Sequence, residues 1–317
     1  MSFELIYPAL RPIRHLLEDE TISEIGINGN GLIWVERDGH LEEITDIDLA
    51  GFNLKFACTT IARVLGDDIS AEQPLLDSRL PDGSRVAIAF PPVSLDGATL
   101  TIRKFRSVQF TLDELVDRGT MPAEVASVLR EAVHERQTIL FSGGTSSGKT
   151  TLLNAVANLI DGDERIGLIE DTAELRLTAR NSFRFEARRA QPGIPAVGIR
   201  ELLKASLRHR PDRLILGEVR GGEAWDLVQA INTGHAGSLS TIHANSALQA
   251  LSRLATLTLQ ADIDIPYRAI QSQIGDLVNL VVHAERRREG RQICEVMRVQ
   301  GFDSEAGRYS QAILYAK

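Results

Sequence analysis

The residues best suited to chemistry form a glycine-rich segment near the middle of the chain. Residues 143–150 read GGTSSGKT, a complete G-x-x-x-x-G-K-[ST] pattern, and we call them the phosphate loop. Glycines let a backbone wrap closely around a triphosphate, and a helix that follows adds the partial positive charge of its N-terminus. Lys149 would reach the β- and γ-phosphates, and the Thr150 hydroxyl would hold Mg²⁺. The predicted phosphate-binding residues are Gly143, Gly144, Thr145, Ser146, Ser147, Gly148, Lys149, Thr150 and Thr151.

Two carboxylates follow short apolar strands downstream of the phosphate loop. Glu170 comes directly after the predicted strand 166–169, and Glu218 follows the apolar residues 214–216 and Gly217. The carboxyl ends of parallel strands meet at one edge of a sheet, where ligands of such folds bind. Phosphoryl transfer to water needs one carboxylate to orient or deprotonate the water, and usually a second to hold a metal-bound water. The division of these roles between Glu170 and Glu218 stays open, because Gly217 replaces the acidic residue usual at this strand end.

Histidine and arginine residues supply the remaining candidates. His235 and His243 lie in the Gly- and Ser-rich segment 233–246 without a nearby cysteine, which favours hydrogen bonding to a phosphate or carboxylate over zinc binding. Phosphoryl transfer also needs guanidinium charge near the terminal phosphate, from the same subunit or another. Arginines flank Glu218 and close the first predicted domain: Arg208, Arg210, Arg213, Arg220, Arg103 and Arg106.

The elements that would position these residues fall into two predicted domains. Residues 1–106 mix strand patterns with an amphipathic helix at 54–65, which indicates a small α+β domain. Residues 107–121 are more polar and contain Gly119, and we interpret them as a linker. Residues 122–317 alternate short apolar strands with helices, which predicts an α/β domain whose parallel-sheet core is covered on both faces.

Composition excludes several classes of protein. The 317 residues are 43% hydrophobic and 25% charged, as a folded, soluble chain requires. A net charge of −8 argues against a general nucleic-acid binder. Two cysteines exclude a disulfide framework and a four-thiolate zinc site. Neither a signal peptide nor an apolar stretch of about 18 residues is present, so we expect a cytoplasmic protein with at most peripheral membrane contact.

Four motifs in this order resemble those of the type II/type IV secretion ATPase superfamily. They correspond to its Walker A motif (143–150), Asp box (169–171 with Glu174), Walker B motif (216–224) and His box (233–246). Residues 24–29 and 101–105 also resemble the N-terminal domain of that family. The two cysteines exclude relatives with a four-cysteine zinc element. The C-terminal helix of retraction motors and the long N-terminal extension of tight-adherence ATPases are missing, which leaves the compact traffic ATPases of type IV secretion and conjugal transfer.

This resemblance implies a homohexameric ring at the cytoplasmic face of the inner membrane, whose subunits join an N-terminal domain to a RecA-like domain with ATP between them. Lys149 and Thr150 would bind phosphate and Mg²⁺, and His243 would sense the γ-phosphate. Either Glu170 or Glu218 would activate water. The arginines carried over as phosphate contacts are Arg103 and Arg106, with Arg208 and Arg210 as weaker candidates. ATP hydrolysis would then drive pilus assembly and substrate transfer, with inner-membrane channel components as partners.

Two other functions use the same motifs. A nucleotide-gated assembly scaffold would bind ATP and turn over little of it. A pilus-assembly or DNA-translocating motor of the same superfamily would share the ATPase core. The net charge of −8 and the absence of a basic groove interleaved with aromatic residues argue against the DNA motor, although a ring can enclose a basic lumen.

Overall fold

The computed structural model describes residues 6–37, 39–47, 52–105, 109–188, 190 and 194–317. The chain divides into two units, Met1–Val108 and Gln109–Lys317. None of the helices within those described ranges is both long and apolar enough to cross a bilayer.

In its described residues, the first unit contains a six-stranded antiparallel sheet and two α-helices. Its elements are α1 (Arg14–Glu18), β1 (Ile22–Ile27), β2 (Ile33–Arg37), β3 (His40–Ile44), α2 (Leu54–Val64), β4 (Leu75–Arg79), β5 (Arg85–Ala89) and β6 (Thr99–Arg103). The sheet order is β3-β2-β1-β6-β5-β4. Helix α2 begins where the Asn53 side chain accepts a hydrogen bond from the Phe56 backbone N–H, and its buried face contributes Cys58 and Ile61 to the core. This unit matches the predicted α+β class.

The second unit surrounds an eight-stranded sheet. Its first elements are α3 (Leu112–Asp117), α4 (Ala123–His134), β7 (Ile139–Gly143), α5 (Lys149–Ala157), β8 (Ile166–Glu170), β9 (Ser182–Glu186), α6 (Ile199–Ser206) and β10 (Arg213–Val219). They are followed by α7 (Glu223–Asn232), β11 (Leu239–His243), α8 (Ala247–Thr258), α9 (Tyr267–Leu277), β12 (Leu280–Arg287), β13 (Gly290–Asp303) and β14 (Arg308–Ala316). The order is β14-β13-β12-β7-β11-β10-β8-β9. The run from β12 to β9 is parallel, and β13 and β14 are antiparallel additions.

Apolar residues on both faces of the strands produce two cores. In β7, Ile139 and Phe141 belong to one hydrophobic cluster, whereas Leu140 belongs to the other. Strand β8 alternates in the same way, with Leu168 on one face and Ile169 on the other. Helices α4 and α5 cover the first face, and α7 and α8 cover the second. The predicted parallel sheet with helices on both faces is confirmed.

Part of the predicted linker, 107–121, belongs instead to the second unit as helix α3. The Thr111 hydroxyl accepts from the Glu114 N–H at 3.2 Å, and the Glu114 carboxylate accepts from the Thr111 N–H at 2.7 Å. This capping box begins the helix, and Leu112 and Leu115 are buried in the core. Because the segment is polar overall, its composition did not indicate this short, capped amphipathic helix.

The sequence of residues 277–314 predicts antiparallel strands separated by turns at 289–290 and 305–307, and this is wrong for the first of these strands. Strand β12 pairs in parallel with β7, whereas β13 is antiparallel to β12 and β14 is antiparallel to β13. Helix α9 precedes β12 and supplies the crossover that a parallel strand needs. As a result, the hairpin formed by β12 and β13 lies beside β7, the strand that leads into the phosphate loop.

Candidate nucleotide site

The phosphate loop lies between two neighbouring strands at the carboxyl edge of the sheet. At the end of β7, Gly143 pairs with His243 of β11 on one side and with Ala284 of β12 on the other. A Cβ at Gly143 would overlap the Ala284 carbonyl oxygen and would lie 2.5 Å from the Ser147 Oγ. Only glycine fits this close approach. The loop therefore leaves the sheet in the tight turn that the motif predicts.

Lys149 is held over the phosphate loop at the first position of α5. Its Nζ donates to the carbonyl oxygens of Gly143 at 3.0 Å and Gly144 at 2.7 Å, and the residue is 7% exposed. A buried ammonium needs such acceptors because it has left water. Thr150 and Thr151 follow in the same helical turn and are half-buried. The loop thus brings together an ammonium and hydroxyls, the groups that bind phosphate and Mg²⁺.

Glu218 lies in a cluster of charged groups near the ends of β10 and β11. The Arg220 Nε is 2.9 Å from one of its carboxylate oxygens, and the Arg220 Nη2 donates to the other at 3.0 Å. The His243 Nε2 lies 3.3 Å from the same oxygen as the Arg220 Nε. Arg220 also donates to Asp171 at 3.2 Å. With its side chain 19% exposed, the Glu218 carboxylate can be reached by water.

The protonation state of His243 depends on the same cluster. Burial lowers the pKa of its imidazole below the usual value, the Lys149 charge acts in the same direction, and the Glu218 carboxylate opposes both. A lowered pKa keeps the ring neutral to a lower pH than usual. A neutral ring has one N–H, which can be donated either to Glu218 or to a phosphate oxygen.

Glu170 is buried and binds the loop that follows its own strand. One of its oxygens accepts from the backbone N–H groups of Glu174 and Leu175, both at 2.8 Å. The other lies 3.5 Å from an Arg184 nitrogen, and the residue is 3% exposed. Burial raises the pKa of the Glu170 carboxyl, and the two N–H donors oppose that rise. Glu170 therefore fixes the conformation of residues 171–175 and is shielded from bulk water.

Gly217 lies against the Glu170 side chain. A Cβ at Gly217 would lie 3.2 Å from the Glu170 Cγ and 3.6 Å from the Glu170 Cβ. The pairing of β10 with β11 also shifts register between Leu216 and Val219. A side chain at position 217 would therefore require the Glu170 side chain to shift by a few tenths of an ångström.

Three side chains of the β12–β13 hairpin contact this machinery, and sequence reasoning missed all three. The Arg291 Nε donates to the Ser146 carbonyl oxygen at 3.0 Å. The His283 Nδ1 lies 2.9 Å from the Ser142 Oγ, one residue before the loop. The Glu295 carboxylate accepts from the backbone N–H at the start of α8, at 3.2 Å. These residues lie more than a hundred positions from the motif and have no diagnostic spacing; only the glycine turn beside Arg291 marked the hairpin.

We expect Arg291→Ala to weaken the binding of a nucleoside triphosphate by about tenfold, since a hydrogen bond from a charged group contributes roughly 1.5–3 kcal/mol. The Arg291 side chain also covers Gly148, where a Cβ would lie 3.2 Å from its Cδ, so its loss would loosen the loop. Titration with a fluorescent nucleotide measures the effect. Arg298→Ala, exposed on the same strand, is the matched control. Equal affinities of the Arg291 variant and the unmodified protein would contradict this role.

The other predicted residues are not all at this site. Arg103 is exposed at the end of β6 in the first unit, opposite Glu24, and Arg106 lies outside the described residues. Arg208 and Arg210 precede β10 and therefore lie at the amino edge of the sheet, away from the phosphate loop of the same chain. The structure does not support these two as contacts to that loop, because they lie at the opposite end of β10 from Glu218.

His235 also lies away from the phosphate loop. Its Nδ1 is 2.9 Å from the Ala230 carbonyl oxygen at the end of α7. Of the two histidines in segment 233–246, the structure places His243 at the site and gives His235 a contact at a helix end.

Known proteins share both the sequence and the fold. The model of the family described as type II/IV secretion system protein matches residues 9–311. The conjugal transfer protein TrbB of Rhizobium radiobacter is 37% identical over 294 residues, covering 90% of this chain and 86% of that protein. The VirB11 ATPase of the Brucella suis type IV secretion system is 31% identical, with a TM-score of 0.50 and coverage of 92% and 94%. The DotB ATPase of Legionella pneumophila shares the fold at 21% identity, with a TM-score of 0.63 and coverage of 89% and 78%. These likenesses confirm the predicted fold class, a RecA-like P-loop domain with a preceding α+β domain. The chain therefore belongs to the type II/IV secretion system protein family, the superfamily of secretion ATPases that its motifs resemble.

Proposed function

We propose that this ATPase hydrolyses ATP in a Mg²⁺-dependent reaction and thereby powers a type IV secretion or conjugative transfer apparatus. The observation that carries the proposal is the arrangement of Lys149, Glu218 and His243 at one edge of the sheet. The similarity to TrbB and VirB11 supports the coupling to conjugation and secretion. The resemblance of the motifs supports a homohexameric ring at the cytoplasmic face of the inner membrane, in contact with channel components there.

Glu218 is the carboxylate that we assign to the attacking water. Its side chain is 19% exposed, and His243 lies beside one of its oxygens. In the reaction the water oxygen bonds to the γ-phosphorus, its proton passes to Glu218, and the bridging oxygen leaves with ADP and keeps the electron pair. Glu170 then acts as a positioning residue, because it holds residues 171–175 and makes its contacts inside the protein.

The donor groups at the site fit Mg²⁺ bound together with a nucleotide. Within the described ranges no cluster of three or more His, Cys, Asp or Glu side chains could hold a metal ion on its own. Mg²⁺ commonly keeps several waters and takes one or two protein ligands plus phosphate oxygens. The Thr150 hydroxyl and, through water, the Glu218 carboxylate are the protein groups that we assign to it. The ion would supply charge neutralisation at the transferred phosphoryl group.

Measurement of turnover by the purified full chain tests the proposal. We expect phosphate release from ATP to require Mg²⁺ and to stop in excess EDTA, with light scattering reporting a six-subunit mass. Tight ATP binding without turnover, both with and without phospholipid vesicles, would contradict hydrolysis and favour the nucleotide-gated scaffold. Salt-dependent binding of single-stranded DNA that accelerates turnover would favour the DNA-translocating motor instead.

A further inference from the structure

A cavity of about 390 Å³ opens beside the phosphate loop. Gly143 and Gly144 form one part of its wall, and His243 with the two residues after it forms another. The remaining wall is helix α8, which follows the His box. The cavity therefore lies at the beginning of the phosphate loop, between the carbonyl groups that hold Lys149 and the imidazole beside Glu218.

Helix α8 presents a polar side to this cavity. The lining residues on α8 are Gln249, Ser252, Arg253 and Thr256. Their spacing of three and four positions places them on one side of the helix, whereas Leu251 and Leu254 are buried in the core. The start of α8 is fixed by Ser246, whose Oγ accepts from the Gln249 N–H at 3.1 Å. The polar side chains thus project from a helix that is capped by Ser246 and packed against the core through Leu251 and Leu254.

Arg253 is the cation of this wall without a carboxylate partner. It is exposed, and no hydrogen bond or ion pair joins its side chain to another residue of the described part of the chain. Arg220, by contrast, is paired with Glu218 and Asp171. Arg253 is near enough to His243 for its charge to lower the pKa of that imidazole, after the larger effects of burial, Lys149 and, in opposition, Glu218. Positive charge, hydroxyls and an amide therefore line one cavity.

We propose that this cavity binds the terminal phosphate of the nucleotide and the inorganic phosphate formed from it, with Arg253 as a guanidinium contact from the same subunit. The identification of the anion as a nucleotide phosphate rests on the proposed function. A guanidinium is matched to two phosphate oxygens by its planar fork of donors. Ser252, Thr256 and Gln249 add neutral donors around the same anion. Sequence reasoning missed Arg253, because a polar helix side is also what a solvent-facing helix shows.

Arg253→Ala and Arg253→Lys test the proposal in the full chain. We expect the alanine variant to bind fluorescent ADP within about twofold of the unmodified protein, but to bind a non-hydrolysable ATP analogue at least tenfold more weakly. Its kcat would fall by about 10²–10³-fold, as for loss of a donor to developing charge. Inhibition by added inorganic phosphate would weaken as well. The lysine variant keeps the charge without the planar fork. Its affinity for the ATP analogue and its kcat should lie between those of the unmodified protein and the alanine variant.

Arg298→Ala, an exposed arginine outside the cavity, serves as the control and should match the unmodified protein in every measurement. Equal losses of ADP and ATP-analogue binding in the alanine variant, or no loss of either, would overturn the proposal. These measurements distinguish failure of the cavity proposal from failure of the proposed ATP hydrolysis. An inactive unmodified protein whose preference for the ATP analogue disappears in Arg253→Ala supports this cavity and contradicts the hydrolase. An active protein whose kinetics and binding ignore Arg253→Ala contradicts the cavity alone.

Discussion

Lys149→Ala should reduce ATP turnover by at least about 10²–10³-fold, while the protein stays folded. The Lys149 ammonium is the cation held within the phosphate loop itself, 2.7 and 3.0 Å from the Gly144 and Gly143 carbonyl oxygens. When a triphosphate is bound, the same group would neutralise charge on its β- and γ-phosphates. Alanine cannot replace that charge, and water in its place would be less well oriented.

Turnover, circular dichroism and thermal unfolding together measure this expectation. Lys204→Ala is a suitable control, because Lys204 is an exposed helical lysine whose ion pair with Asp226 spans 3.4 Å. A Lys149→Ala protein with near-normal turnover would show that the phosphate loop is not the catalytic nucleotide site. Loss of the native dichroism spectrum would call for Lys149→Met, which keeps the buried volume and removes the charge.

Glu218→Gln should separate hydrolysis from binding. The amide keeps the shape of the side chain but cannot accept a proton, so we expect kcat to fall by about 10²–10⁴-fold while nucleotide affinity changes little. Glu170→Gln should behave differently, since Glu170 accepts two backbone N–H groups that one amide oxygen can still bind. We expect it to reduce kcat by less than about tenfold and to alter mainly the thermal stability.

Single-turnover kinetics and nucleotide titration on both variants measure this contrast. Glu289→Gln, exposed at the turn between β12 and β13, controls for loss of a surface charge. A larger loss of kcat in Glu170→Gln than in Glu218→Gln would reverse the assignment. Normal hydrolysis by both variants would remove both carboxylates from the chemistry.

The phosphate loop could be predicted because its geometry is encoded within eight consecutive residues. The glycine at 143 and Lys149 make their decisive contacts inside that segment or to its immediate strand neighbours. The parallel sheet could also be predicted, since fully buried strands such as Ile166–Glu170 have nearly continuous apolar sequences. The sequence analysis did not assign β4 and β9 as strands, because both are short, five-residue strands that are largely exposed and contain few apolar residues.

The division of labour between the two glutamates could not be predicted, because both follow apolar strands and differ only in their surroundings. What separates them is that the loop 171–175 folds back onto Glu170, whereas Glu218 lies beside His243 and Arg220. Arg253 and Arg291 were missed for a related reason. Their positions depend on how α8 and the C-terminal hairpin pack beside β7, which is a long-range property of the sheet order.

Gly217 lies close enough to the Glu170 side chain for substitutions at the two positions to be coupled. A Cβ at 217 would lie 3.2 Å from the Glu170 Cγ, so Gly217→Ala would require the Glu170 side chain to shift by a few tenths of an ångström. Such a shift acts on the carboxylate that binds the Glu174 and Leu175 N–H groups, so Gly217→Ala should change the thermal stability less in a Glu170→Ser background than alone. The strand end that carries Glu218 and the loop 171–175 are thus linked through one side chain, and a double-mutant cycle measures the strength of that link.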